Sequence, residues 1–177
     1  ALVAEAACLA LFNVCMSHSA NKQLLSRTHV LDLIMDILYF SVVSSAGTSS
    51  KRLVLAALHV LRSLCFDNKQ AQEAIYCNKQ YISILTRVLT LYVTDPYIAA
   101  VGFSWVDMMS ERIGFARNSN SSSDICKLLM LGVGHYGGVV TGRSNNMTIA
   151  SMWGAINNLC NHSEECRNRF GSLGACE

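Results

Sequence analysis

The sequence predicts an all-α chain assembled from repeated helical units, and three observations carry that expectation. The 177 residues hold a single proline, Pro96, beside an abundance of Ala, Leu, Ile and Met. Proline is excluded from helix interiors, whereas these side chains lose little rotamer freedom in a helix. Apolar residues recur at helical spacing. Leu31, Ile34, Ile37 and Leu38 form one stripe, and Ile82, Leu85, Val88 and Leu89 superpose on it position by position. Segments also return along the chain: Asn21-Lys22-Gln23 recurs identically as Asn68-Lys69-Gln70, a shift of 47. Such self-similarity is the mark of repeat architectures.

The pattern places helices at 2–17, 29–43, 51–66, 79–93, 97–113, 124–131 and 146–161, with several pairs joined by shorter helical pieces. The first, ALVAEAACLALF, resembles a signal-peptide core but lacks a basic flank, contains Glu5 and keeps helix periodicity, so it reads as structure. Helices 29–43 and 79–93 carry the two superposed stripes. Helix 51–66 contains Ala56-Ala57-Leu58 and Leu61, which lie between Ala10-Leu11-Phe12-Asn13-Val14-Cys15 and its copy Ala155-Ile156-Asn157-Asn158-Leu159-Cys160 in the last helix. Helix 97–113 follows the turn Thr94-Asp95-Pro96. The remaining breaks are expected where turn residues cluster, at Ser44–Ser50 with Gly47, at Asn118–Ser123 and at Gly132–Asn146. The copies imply one array over 1–177, of about three to four repeats spaced by about 48 residues, with a degenerate unit over 97–145 around Trp105.

Composition removes several functions. Lys plus Arg number 14 against 12 for Asp plus Glu, and the basic residues are spread from Lys22 to Arg169, so no surface that tracks nucleic-acid phosphates is expected. A hydrophobic share of 51% raises the membrane question. The longest candidate, Val30–Val43, is broken by Asp32 and Asp36 and is too short to span a bilayer; Leu128–Val140 carries four glycines and His135. No membrane insertion is expected. The eight cysteines sit mostly in apolar helical segments, which reads as core packing in a reducing compartment rather than as a disulfide framework. Sequons at Asn120, Asn146 and Asn161 matter only in a secreted protein.

The order of motifs resembles the armadillo repeat: an Ala-Leu-x-Asn-Leu helix end, a polar turn, an Asn-Lys helix, then an Ile-x-x-Leu-x-x-Leu-Leu stripe. The last unit fits best, with Trp153 to Cys160, then Cys166-Arg167-Asn168-Arg169-Phe170, then Leu173-Gly174-Ala175. The likeness covers about 80% of the chain and is weakest between 97 and 145, where the short first helix is expected to be missing. It implies a right-handed α-solenoid of three-helix repeats whose third helices line a concave groove. Those helices would be 2–17, 51–66, 97–113 and 146–161. Neither end carries the polar outer face that terminal repeats need, so flanking repeats or a partner are expected there.

Motifs of catalytic or ligand chemistry read as packing. Gly132-Val133-Gly134-His135-Tyr136-Gly137 matches G-x-G-x-x-G, but dinucleotide chemistry needs a strand before it and an acid some twenty residues after it. The expectation is a glycine-rich loop. Cys160, His162, Cys166 and Cys176 lie across a helix end and the next helix rather than at zinc-ligand spacing on a turn. Gly102-Phe103-Ser104-Trp105-Val106 begins like a nucleophile elbow and lacks its closing glycine. No catalytic residue, cofactor or metal site is therefore expected.

The positive candidates line the groove. Asparagine offers both a donor and an acceptor to the backbone of an extended peptide. Asn13 and Asn158 match the asparagine of the family motif, where armadillo proteins commonly hold ligands; helix-end capping or an inter-helix hydrogen bond is the plainer alternative. Trp153 and Asn157 match the Trp-x-x-x-Asn spacing of nuclear-import adaptors, with core packing as the alternative for Trp153. In the middle units the same surface is expected to include His59, Arg62, Asp107 and Met109, a chemically mixed set. The expected function is a non-catalytic scaffold or adaptor for proteins or extended peptides, as a structural part of a cytoplasmic assembly of cytoskeletal or ciliary kind. A regulatory segment of a larger enzyme and a nuclear-import-type peptide adaptor are the alternatives.

Overall fold

The computed structural model describes residues 2–16, 18–43, 50–117, 119–137 and 143–175. Among the described residues there are eleven helices and no strand, so the fold is all-α. In order they are α1 (Leu2–Cys15), α2 (Ser19–Ser26), α3 (Val30–Val43), α4 (Lys51–Cys65), α5 (Lys69–Cys77), α6 (Lys79–Leu91), α7 (Pro96–Ser110), α8 (Ile113–Ala116), α9 (Ser119–Tyr136), α10 (Arg143–His162) and α11 (Glu164–Ser172). A long helix, a short one and a long one succeed each other along the chain. α1, α2 and α3 have 14, 8 and 14 residues, and α4, α5 and α6 have 15, 9 and 13. α7, α8 and α9 follow with 15, 4 and 18, then α10 and α11 with 20 and 9.

Local chemistry fixes the starts. Asp95 Oδ1 accepts from the amides of Tyr97 and Ile98 at 3.2 and 3.3 Å, with Pro96 in the first turn of α7, where its missing N–H costs nothing. Asn68 caps α5 through the Ala71 amide at 3.3 Å, and Ser163 caps α11 through the Cys166 amide at 3.3 Å. Glu164 and Glu165 add negative charge to the first turn of α11, which the helix dipole favours.

The chain divides into two compact units, 1–88 and 89–177. In the first, α1 and α3 both pack on α4, whose Val54, Ala57, Leu58, Val60, Leu61 and Leu64 are fully buried. Three of the four stripe residues on α3 are buried, Ile37 being only half so, and all four on α6 are buried. Lys22 Nζ donates to the Phe66 carbonyl at 3.1 Å, which completes a carbonyl at the end of α4, and Asn68 Nδ2 donates to the Lys22 carbonyl at 3.3 Å. The recurring Asn-Lys motifs therefore meet each other.

In the second unit α7 and α10 form the most extensive helix pair, with α9 packed on α10 and α11. Three corrections to the sequence reading fall here. Residues 119–123, expected in a loop, are the first turns of α9, and residue 118 lies outside the described residues. Serine is at home near a helix start, and Ser123 Oγ accepts from Arg169 Nη1 at 2.7 Å. Residues 132–136, also expected in a loop, are the last turns of α9, and α10 begins at Arg143 rather than at 146. Gly132 is there for closeness: a Cβ on it would stand 2.5 Å from Met152 Sδ and 2.6 Å from Phe103 Cζ. Third, the short helix expected to be missing after helix 97–113 is present as the single turn α8, seated by the buried Phe115 and Ala116.

Side-chain bonds that join distant parts of either unit have a narrow reach. Lys22 to Phe66 spans 44 residues, Asn68 to Lys22 spans 46 and Tyr81 to Asp32 spans 49. In the second unit Tyr136 to Val93, Asn158 to Ser110, Cys166 to Ala116 and Arg169 to Ser123 span 43, 48, 50 and 46.

Candidate protein-binding surface

Two helix pairs carry the candidate residues. In the first unit α4 lies along α1, with the buried Cys8 and Cys15 on α1 and Ala57 and Leu61 on α4 belonging to the core. The Phe12 and His59 rings pack at 5.3 Å with a tilt of 54°. Burial, and then the nearby Arg62, hold the His59 imidazole below its ordinary range. Arg62 and Asn13 are exposed. Arg52 pairs with Glu5 across the two helices at 3.1 Å, and the Glu5 side chain is 12% exposed. Glu5 thus reads in the structure as one end of an inter-helix tie.

In the second unit the Asp107 side chain of α7 packs over Gly154 of α10, where a Cβ would stand 2.6 Å from Asp107 Oδ1. One turn on, Asn158 Nδ2 donates to Ser110 Oγ at 3.1 Å, and Ser110 Oγ donates to the Asp107 carbonyl at 2.6 Å. Asp107, Ser110, Gly154 and Asn158 thus form one polar seam. Burial, and then the charge of Glu111, raise the Asp107 carboxyl above its usual range. Trp153, 47% exposed, and Asn157 stand one helical turn apart on α10 and face solvent.

Met109 is a correction. It is fully buried, because the turn of α7 that presents Asp107 turns Met109 to the opposite side, among the core residues of the unit. Asn158 takes the inter-helix hydrogen bond that sequence reading held open as its alternative. Sequence reasoning missed Ser110 and Gly154; a glycine inside a strongly helical segment was the available signal for close approach.

Two of the catalytic look-alikes lie within helices. Residues 132–136 are helical, and the Gly137 amide donates to the Val133 carbonyl at 2.7 Å, so this amide is already committed within the chain rather than aimed at a pyrophosphate. The elbow-like segment 102–106 lies inside α7 with Phe103 and Trp105 buried. Among the described residues no group of three His, Cys, Asp or Glu could hold a metal ion, and no disulfide joins the cysteines; Cys176 lies outside them. Burial pushes the Cys8 and Cys15 thiols up, as expected of core packing. Among the described residues no helix is long and apolar enough to cross a membrane.

Comparison with protein-family models, with curated proteins and with solved structures returns no match for this chain.

Proposed function

We propose that the chain is a stretch of armadillo-like α-solenoid that acts as a non-catalytic scaffold, holding other proteins against its long-helix walls within a larger intracellular assembly. The observation that carries this reading is periodic. Long, short and long helices alternate, the helices assigned to the groove begin at Leu2, Lys51, Pro96 and Arg143, and distant side-chain bonds reach 43 to 50 residues. Stacked repeats have this signature because each touches only its neighbours. A cytoskeletal or ciliary home rests on the family resemblance alone.

Small-angle scattering tests the architecture. A compact globule of this length has a radius of gyration of about 16 Å. A stack gives a larger value and an elongated distance distribution; a profile at the compact value overturns the solenoid. Photo-crosslinking from position 153 or 157 in a native extract tests the wall. A defined protein adduct there, absent from a crosslinker placed at Gly134, supports the scaffold, and equal labelling from all three positions opposes it.

The exposed Trp153 and Asn157 favour a second reading, a reader of extended peptides. It requires measurable binding of a basic peptide that Trp153→Ala weakens, and the absence of binding by the intact chain removes it.

A further inference from the structure

The outward face of α3 differs from that of a solvent-facing helix in this chain. Its exposed positions are Asp32, Leu33, Asp36, Tyr39, Phe40 and Val43, and four of the six are large and apolar. Leu33 is 59% and Phe40 62% exposed, two turns apart on one side of the helix, and the Tyr39 and Phe40 rings meet edge to face at 6.0 Å. The helix that shares its stripe, α6, supplies the control. At the register that aligns Leu31 with Ile82, α6 exposes Ser83, Arg87 and Thr90, with Leu91 as its one large apolar exposed residue. Packing thus requires the inner stripe that both helices share and leaves the outer positions open to choice. Scattered apolar surface is ordinary, but a run of four along one helix side marks an interaction surface.

Charge selects the occupant. Asp32 and Asp36 stand on the N-terminal half of this face, whereas in the register of α6 the position of Asp36 is taken by Arg87. Asp32 is held in place by the Tyr81 hydroxyl, which donates to it, and by His29 Nδ1 at 3.1 Å. Burial, and then this hydrogen bond to Asp32, push the Tyr81 phenol up to about 12, so it remains a neutral donor at physiological pH. A second copy packed α3 to α3 would bring four carboxylates to one interface, an arrangement that like-charge repulsion opposes. We propose that α3 is a docking face, distinct from the α1–α4 and α7–α10 walls, for an amphipathic helix of another protein that carries Lys or Arg beside its apolar stripe. Ridges of such a helix fit beside Leu33, Phe40 and Val43, and its basic residues meet Asp36.

The test uses the whole chain and two labelled amphipathic peptides with the same Leu stripe, one flanked by Lys and one by Glu, titrated by fluorescence anisotropy. The Lys-flanked peptide is expected to bind roughly tenfold more tightly than the Glu-flanked one. Asp36→Lys should erase that preference, and Leu33→Asp with Phe40→Asp should abolish binding of both while the helical circular dichroism is unchanged. Equal binding of the two peptides, or binding that survives the double change, overturns the proposal. Sedimentation of the unmodified chain as a dimer that Phe40→Asp dissolves also overturns it, in favour of a second copy as the occupant.

Discussion

The α1–α4 and α7–α10 pairs each join two long helices separated in the chain by a short and a long one, yet they close differently. α1 and α4 meet through side chains: Phe12 on His59, and Glu5 with Arg52. α7 and α10 add to the Asn158–Ser110 bond a pair of glycines that side chains cover, with Gly154 under Asp107 and Gly132 of the adjoining α9 under Phe103 and Met152. The same order of helices therefore tolerates either a ringed and charged seam or a close glycine seam. In this chain a glycine inside a helix can mean contact rather than a break.

The largest effects test the cores that back the two seams. Phe103→Ala in the second unit should cost about 3 to 5 kcal/mol and Ile34→Ala in the first about 2 to 5, read as a lowered denaturant midpoint; both side chains are buried. An unchanged midpoint for either would break the assignment of that helix face. Next come the glycines, where two substitutions of the same kind should have opposite signs. Gly132→Ala should destabilise by about 1 to 3 kcal/mol because the new methyl overpacks against Phe103. Gly134→Ala meets nothing within 4 Å and should stabilise by up to about 1 kcal/mol, the helix cost of glycine. If both stabilise, the close seam is wrong. Asn158→Ala should cost about 1 kcal/mol by removing the bond to Ser110.

The smallest effects are in pH, and the seams should respond oppositely. The His59 pKa is depressed on folding, so its contribution is fully present above its unfolded value of 6.5 and is lost as pH falls through the folded value. Asp107 has a raised pKa, so the native state holds that proton more tightly and its contribution declines as pH rises above 3.8. Protection of the α4 amides, read as exchange corrected for its intrinsic pH dependence, should fall as pH drops below 6.5, an effect that His59→Gln flattens. Loss of protection that persists in His59→Gln would assign the effect to another group.

The helical class and the inner stripes were legible because burial imposes a period that survives in the sequence: Ile34, Leu38, Leu85 and Leu89 are all buried. The break before α7 was legible too, since Asp95 and Pro96 act locally. The stretches at 119–123 and 132–136 were misread because serine and glycine have weak or contrary local preference, and only contacts from α7, α10 and α11 decide their state. Met109 was misplaced by a similar route, since counting along a motif gives a position on α7 but not the rotation of that helix. The exposed aromatics of α3 were visible as residues, and only their burial pattern set them apart from core.

The uniform reach of the distant side-chain bonds has a kinetic consequence. Each such bond closes a stretch of roughly the same length, and the entropy lost in closure grows only with the logarithm of that length. Among these bonds none is then much costlier to close than the others. In the proposed stack of repeats folding can start at any of these junctions, so a substitution that slows one of them should leave the others able to begin the process.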